Sequence, residues 1–247
     1  MNYGPASKYY DLFAAKDDIN FYKELALKHG RKALELGVGT GRVAIELAKA
    51  DVNMWGIDNS KYMLGVARQK LRSSATAVRK RVVLKHGDMR NFKLKERFPF
   101  VYIPSATFEH CLTQEDQTKC LTSVLNILER PGVFAFDLSQ PPLGKPESSW
   151  WIERRELSPG REVIRTIFSK RDSQTNIVMV QLFFGVYHEG RVEERFYEQG
   201  EAKISTKIEI EKLLKDVGFN IDSIYGSFNK TAHSSESKNL IFVASTS

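Results

Sequence analysis

The run Leu34-Glu-Leu-Gly-Val-Gly-Thr-Gly-Arg42 puts glycines at alternate positions 37, 39 and 41, directly after a run of strand formers. Alternate glycines between a strand and a helix remove the Cβ atoms that would hold a ligand off. The free backbone N–H groups at the helix start can then face it. In a pyrophosphate-binding dinucleotide loop the third glycine falls three places after the second, but here that place is Arg42. With Glu35 just ahead of it, the loop suits a cationic ligand better than a pyrophosphate. Two more acids close later strand-like runs: Asp58 in Trp55-Gly-Ile-Asp58 and Asp88 in His86-Gly-Asp-Met89. An acid at the tip of the second strand can accept both hydroxyls of a ribose. Asp88 can accept from an exocyclic adenine amine while the Met89 N–H reaches a ring nitrogen. Together these residues describe a site for an adenosine that carries positive charge and no phosphate.

The surrounding pattern supplies elements to position them. Asp18 is expected to cap a helix running to about His29, and Lys32–Leu36 reads as the first strand. A helix follows from Gly41 to about Ala50, a second strand from Val52 to Ile57, and a helix with Met63, Leu64, Ala67 and Leu71 at helical spacing. Val82–Leu84 and Phe98–Ile103 read as strands three and four. Thr113-Gln-Glu-Asp116 resembles a capping box opening the helix with Cys120, Leu121, Val124, Leu125 and Leu128. Pro131-Gly132 is expected to stop that helix and turn the chain into the fifth strand, Val133–Leu138. Such alternation implies right-handed crossovers and a mostly parallel sheet covered on both faces. After Pro141-Pro142 the apolar runs shorten and turn signals at 159–160, 172–173 and 189–190 separate them, which predicts an inserted antiparallel meander. Thr206-Lys-Ile-Glu209 is a second capping box, Gly218 a helix stop, and strands near 219–225 and 240–244 close the sheet. The expected organisation is one discontinuous domain, 1–145 and 200–247, with 146–199 as a β lid.

On these residues the chain resembles the class I S-adenosylmethionine-dependent methyltransferases. The carriers are Glu35-Leu-Gly-Val-Gly-Thr-Gly-Arg42, the strand-end Asp58, Gly87-Asp-Met89 and Leu128-Glu-Arg-Pro-Gly-Val-Phe-Ala-Phe-Asp-Leu138, where Val133 replaces the second glycine of the family's turn. Tyr9-Tyr-Asp11, Ile103–His110 and Glu236–Ala244 are similar to a group whose better understood relatives methylate amines or hydroxyls of small metabolites. The resemblance implies an α/β, Rossmann-like seven-stranded sheet of order 3-2-1-4-5-7-6. It implies S-adenosylmethionine as methyl donor, S-adenosylhomocysteine as product and a small-molecule acceptor. Carried onto this chain, Gly37, Gly39 and Gly41 pass beneath the methionine part and Glu35 orders the loop. Asp58 binds the ribose with Asn59 beside it, and Asp88 and Met89 hold the adenine. Ser105 and Ala106 border the methionine tail, and Tyr10 folds over it.

Methyl transfer asks a protein to align nucleophile, methyl and sulfur, to exclude water and, for hydroxyl acceptors, to remove a proton. His110 follows the fourth strand on the substrate side and is the candidate base, with Glu109 as fallback. At the fourth strand Ile103-Pro-Ser-Ala stands where enzymes acting on nucleobase amines carry Asn-Pro-Pro-Tyr/Phe, which counts against DNA adenine chemistry. The insertion's aromatics, Trp150, Trp151, Phe183, Phe184, Tyr187, Phe196 and Tyr197, either build its own core or roof the substrate, and strand alternation sends half of them inward.

Charge and composition narrow the partners. The 247-residue chain is 42% hydrophobic and 27% charged, which is globular composition. No apolar run has the ~20 residues of a membrane-spanning helix, and the start lacks the apolar stretch of a secretory signal. Cys111 and Cys120 fall near one helix start and are expected as reduced thiols in a cytoplasmic protein. The five histidines and two cysteines show no metal-ligand spacing, so no metal is expected. Residues 61–97 hold twelve Lys/Arg against two acids, although the whole chain is only +7. That surface raises the alternative of RNA or protein methylation, and a cofactor-binding regulatory protein without catalysis is another. Helix two and strand three lie at the adenine edge of the family's sheet, so a nucleic-acid substrate is the less favoured reading.

Overall fold

The computed structural model describes residues 3–140 and 147–246. A 3-10 turn (Pro5–Tyr9) runs into the short helix α1 (Tyr10–Phe13), and α2 (Asp18–Lys28) follows. Alternation then begins: β1 (Lys32–Leu36), α3 (Arg42–Lys49), β2 (Asn53–Asp58), α4 (Lys61–Arg72), α5 (Thr76–Arg81), β3 (Val82–His86) and β4 (Phe98–Ile103). A second 3-10 turn (Thr107–His110) precedes α6 (Gln114–Ile127) and β5 (Leu128–Ser139). The insertion is β6 (Ser148–Ser158), β7 (Arg161–Arg171), β8 (Ile177–His188) and β9 (Arg191–Lys203). The chain closes with α7 (Lys207–Val217), β10 (Asn220–Tyr225) and β11 (Asn239–Thr246).

The main sheet has the order β10-β11-β5-β4-β1-β2-β3, which is the expected 3-2-1-4-5-7-6 with β11 as the seventh strand. Strands β5-β4-β1-β2-β3 pair in parallel, while β11 runs antiparallel to both β5 and β10. Strand alternation divides the core into two layers. Val101 and Ile103 of β4 and Phe134 and Phe136 of β5 face α6 and α7, whereas Phe100, Tyr102 and Ala135 face α2 and α3. Ser60 caps α4 by accepting the Met63 N–H at 3.2 Å. Thr206 and Glu209 form the full reciprocal box at α7, and Gly218 ends that helix at φ +108°.

Several local expectations change. Asp18 does not cap α2; it is buried in a bidentate pair with Arg42, so it ties α2 to α3. Thr113 caps α6 from its side chain, but Asp116 pairs with Arg90 rather than completing a box. Pro131-Gly132 does not stop α6. That helix ends at Ile127, and Pro131 and Gly132 lie inside β5, where pairing with β4 shifts register between Phe98 and Phe100. Cys111 and Cys120 are both free and buried. Their thiols meet, and the hydrogen bond to Cys111 is the main cause, with burial, of the raised Cys120 pKa.

The insertion forms one antiparallel sheet, β6-β7-β8-β9, whose strands run from 148 to 203; the boundary expected at 145/146 lies outside the described residues, as do Pro141 and Pro142. One face of this sheet, with Val163, Ile167, Leu182, Phe184 and Val186, packs on Ala6 and Tyr9 of the N-terminal segment. Buried Glu198 accepts the Gly4 and Ala6 N–H groups at 3.0 and 3.3 Å. The same segment is tied to the main domain: Ser60 Oγ donates to the Tyr3 carbonyl at 2.7 Å, and Asp11 accepts from Thr40 and pairs with Lys70. Residues 3–13 therefore clamp the insertion to the glycine loop and α4.

Candidate active site

A cavity of about 480 Å³ opens where β1, β2, β3 and β4 end. Of the twelve site residues expected from sequence, ten line it: Tyr10, Glu35, Gly37, Gly39, Asp58, Asn59, Asp88, Met89, Ser105 and His110. Ala106 and Gly41 do not. Gly41 caps α3 in the left-handed region at φ +73°, with Ile45 and Ala67 against it, so its work is the strand-to-helix turn. Gly37 is required by closeness, since a Cβ there would lie 2.2 Å from Thr107 Cγ2. The segment after β4 can thus lie directly on the loop. At Gly39 the nearest atoms to a Cβ position are 3.9 Å away, which leaves the loop's cavity side open.

The three strand-end acids converge as the spacing required, but their surroundings differ. Asp58 accepts the Gly39 N–H on Oδ2 at 2.7 Å and the Ser60 N–H on Oδ1 at 2.8 Å, so it fixes the loop and the start of α4. Burial raises its pKa, and those two N–H groups oppose the shift. Asp88 is gripped by Arg90, with Nη2 to Oδ2 at 2.6 Å, and this pair holds its carboxyl below the ordinary value. Glu35 is 2% exposed and burial pushes its pKa to about 8, against the opposing Tyr102 hydroxyl, which donates to it at 2.7 Å. The cavity thus presents Asp58 held by backbone N–H groups, Asp88 paired with Arg90, and Glu35 with a pKa high enough to keep its proton at neutral pH.

Behind the cavity wall two buried tyrosines stack at 4.9 Å, Tyr102 donating to Glu35 and Tyr22 to Asp137. Asp137, near the end of β5, also accepts the N–H groups of Ser105 and Ala106 at 3.0 and 2.8 Å. It thereby holds both residues at positive φ, +59° and +55°. Arg42 lines the cavity and donates to Ser105 Oγ at 2.7 Å. Tyr3 joins Tyr10 edge to face at 5.2 Å, and burial raises both phenol pKa values, so neither is a base near neutrality.

His110 lines the cavity, and its Nδ1 lies 2.9 Å from the Glu201 carbonyl oxygen. A carbonyl only accepts, so Nδ1 carries the proton and Nε2 is the basic nitrogen. Burial is the chief cause that lowers this pKa to about 4, so the ring is neutral at pH 7. Glu109, the fallback base, does not reach the cavity; it is buried beneath it and accepts the Ser139 N–H at 2.6 Å. The insertion's aromatics do not line the cavity; Gln199, Gly200 and Glu201 of β9 do.

Sequence reasoning missed Tyr3, Arg42, Asp137 and the Gln199–Glu201 wall. Arg42 had a signal in its position directly after the third glycine. Asp137 and β9 had none, because both act through contacts distant along the chain.

The sheet order, the glycine loop and the acids at adjacent strand ends define a class I methyltransferase domain, and the comparisons agree. Residues 33–132 match the family model described as "Methyltransferase domain". An uncharacterized methyltransferase of Bacillus pumilus is 31% identical over 62% of this chain and 74% of its own length. YqeM of Bacillus subtilis, whose name gives methyltransferase and no substrate, is 28% identical over 99% of this chain and 96% of its own. The chain belongs to the S-adenosylmethionine-dependent methyltransferases. Among solved structures, the CcbJ methyltransferase of Streptomyces caelestis superposes with a TM-score of 0.84 at 21% identity, covering 100% of this chain and 99% of that one. An amino pentose methyltransferase of Micromonospora echinaspora involved in calicheamicin biosynthesis, solved with S-adenosylmethionine bound, gives 0.74 at 17%, over 100% and 98%.

Proposed function

We propose that the protein methylates an amine nitrogen of a small molecule, and that the cavity residues above divide between donor and acceptor. The observation that carries this is His110, which lines the cavity with Nδ1 fixed 2.9 Å from the Glu201 carbonyl, and burial lowers its pKa to about 4. So weak a base hydrogen-bonds an amine but does not retain the proton of an alcohol or phenol. The amino pentose methyltransferase similar in fold supports the same acceptor class.

The cavity suits the donor: its volume, the open side of Gly39 and the acids at the strand ends leave room and polarity for an adenosine. S-adenosylmethionine, when bound, supplies an electrophilic methyl group on a sulfonium and leaves as S-adenosylhomocysteine. Gly37 and Gly39 would pass under its methionine part, with Glu35 below the loop. Asp58 and Asn59 would take the ribose, and Asp88 with the Met89 N–H would take the adenine. Ser105 would border the methionine end, where the Arg42 guanidinium is placed for the carboxylate. His110 Nε2 accepts an N–H of the acceptor and so directs the nitrogen lone pair. Tyr10 and Tyr3 exclude water from that side. The methylated ammonium then passes its proton to solvent, since His110 is too weak a base to keep it.

The basic 61–97 segment sits on α4, α5, β3 and the following loop, and β3 is the sheet edge, with β1 and β2 between it and β4. Three of its cations are engaged in ion pairs: Lys70 with Asp11, Arg81 with Asp51, and Arg90 with Asp88 and Asp116. This placement supports a small acceptor over an RNA anchored there. The buried free thiols Cys111 and Cys120 support a cytoplasmic setting. Among the described residues no helix is long and apolar enough to cross a membrane. The decisive experiment is turnover of labelled S-adenosylmethionine over a panel of amino sugars, simple amines, phenols and alcohols. Methyl transfer to amines is expected, and preferential transfer to a hydroxyl overturns the assignment.

A further inference from the structure

The insertion has a second face, turned away from the N-terminal segment. Strand register puts Trp150 of β6, Phe168 of β7, Phe183 of β8 and Tyr197 of β9 on it, one aromatic ring from each strand. The rings form a chain of contacts: Trp150–Phe168 at 4.6 Å, Trp150–Phe183 at 6.4 Å and Phe183–Tyr197 at 5.1 Å. Trp150 is nevertheless 62% exposed, Tyr197 52% and neighbouring Ile152 70%. Rings held against one another but open to water offer flat faces on which a ligand ring can stack.

The aromatic row leads into the active site. The Tyr197 hydroxyl donates to Gln199 Oε1 at 2.6 Å and accepts from Gln181 Nε2 at 2.9 Å. Tyr197, Gln199 and Glu201 alternate onto the same face, and the last two line the cavity. The Glu201 carbonyl holds His110. A continuous surface therefore runs from the candidate base, along β9 and across to Trp150.

Its dimensions decide the occupant. Three strand spacings of about 4.8 Å by three or four residues along the strands give roughly 150–200 Å². Beyond that the face turns to Arg154, Lys170 and Arg195. A stable protein partner needs about 800 Å² on each side, whereas one or two rings of a small molecule fit.

We propose that this face is the distal acceptor subsite: an apolar ring system, linked to the amine-bearing part of the acceptor, stacks on Trp150, Phe183 and Tyr197. This inference rests on the amine-methylation reading, which fixes where the amine must lie.

The test is calorimetric binding to the protein saturated with S-adenosylhomocysteine, using the methyl and p-nitrophenyl glycosides of one amino pentose. The p-nitrophenyl form is expected to bind about tenfold more tightly, the scale of ring stacking on an aromatic platform. Trp150→Ala and Phe183→Ala each remove that advantage and leave the methyl glycoside's affinity unchanged. Cofactor affinity serves as the control for folding. Equal affinities for the two glycosides, no binding of the p-nitrophenyl form, or a preference that survives both substitutions overturns the subsite. So does a dimer, seen by sedimentation, that Trp150→Ala dissociates, because the face would then be an interface between copies. Turnover of the two glycosides is scored separately: a preserved binding preference without methyl transfer overturns the reaction and leaves the subsite standing.

Discussion

His110 donates from Nδ1 to the main-chain carbonyl of Glu201 at 2.9 Å, joining the turn after β4 to the last strand of the insertion. This hydrogen bond fixes the proton on Nδ1 and couples His110 to the acceptor side of the molecule. His110→Ala is expected to lower turnover by about 10²-fold, the scale of a misaligned reacting group, because the acceptor nitrogen loses the hydrogen bond that aims its lone pair. The affinity for S-adenosylmethionine should stay unchanged. Because the ring's pKa is about 4, the rate profile should show no inflection from this residue between pH 6 and 8. Single-turnover rates and calorimetry check both parts, and unaltered turnover would make His110 structural.

Asp58 and Asp88 occupy equivalent strand ends but are predicted to contribute unequally. Asp58 has only backbone donors, from Gly39 and Ser60, while Asp88 is already held by Arg90. Asp58→Ala should weaken S-adenosylmethionine binding by roughly 1–3 kcal/mol, through lost ribose bonds and two unsatisfied N–H groups. Asp88→Ala should cost less, since Arg90 competes for the same oxygens. Titration calorimetry on both variants decides the order, and equal losses would show that the Arg90 pair opens on binding.

The parallel order and the convergence of Glu35, Asp58 and Asp88 were legible because strand ends and glycine spacing are local signals. The sequence also showed that a meander follows β5, since turn pairs and short apolar runs announce hairpins. Partnership over distance was not legible. Asp18 looked like a cap because acids favour helix starts, but Arg42 offers it a buried bidentate pair that outweighs a cap. Pro131-Gly132 looked like a helix stop because neither residue propagates a helix, yet Thr113–Ile127 had already delimited α6 and the pair fell within β5. Which of the insertion's aromatics face inward depends on register, and register is fixed by pairing rather than by composition.

Asp137 is a positioning residue with a measurable signature. It holds Ser105 and Ala106 in left-handed conformations that cost of order 1–3 kcal/mol each for non-glycine residues. Asp137→Asn keeps one acceptor oxygen and turns an NH₂ toward a backbone N–H, so stability should fall by roughly 1–3 kcal/mol. The melting temperature should drop by about 2–4 °C for each kcal/mol in a chain of this size. Turnover should fall as well, because Ser105 and Arg42 lose their register. Tyr22→Phe removes only the hydroxyl and leaves both N–H bonds, so its effect on turnover should be smaller. Thermal melts with single-turnover rates test this, and identical kinetics in both variants would confine Asp137 to a folding role.

Glu35 links stability and donor binding to pH in opposite senses. Its folded pKa, about 8, lies above the ordinary 4.5, so between these values the folded chain keeps a proton that the unfolded chain has released. Stability is then fully present below pH 4.5 and is lost as pH rises through 8. Glu109, also near 8, and Asp137, near 6, act in the same direction. His110 opposes them, since its pKa falls from 6.5 to about 4 and its contribution is lost as pH drops below 6.5. Between pH 6.5 and 8 the carboxyl groups dominate, and the ligand-free protein should melt at a progressively lower temperature. Donor binding should run the other way. A sulfonium over the loop favours the ionised carboxylate, so binding releases a proton and tightens as pH rises toward 8. Glu35→Gln should flatten part of the melting trend and remove the corresponding part of the pH dependence of S-adenosylmethionine affinity. Calorimetry in buffers of different ionisation enthalpy measures the proton released. The same release from wild type and from Glu35→Gln would mean that another group responds to the cation.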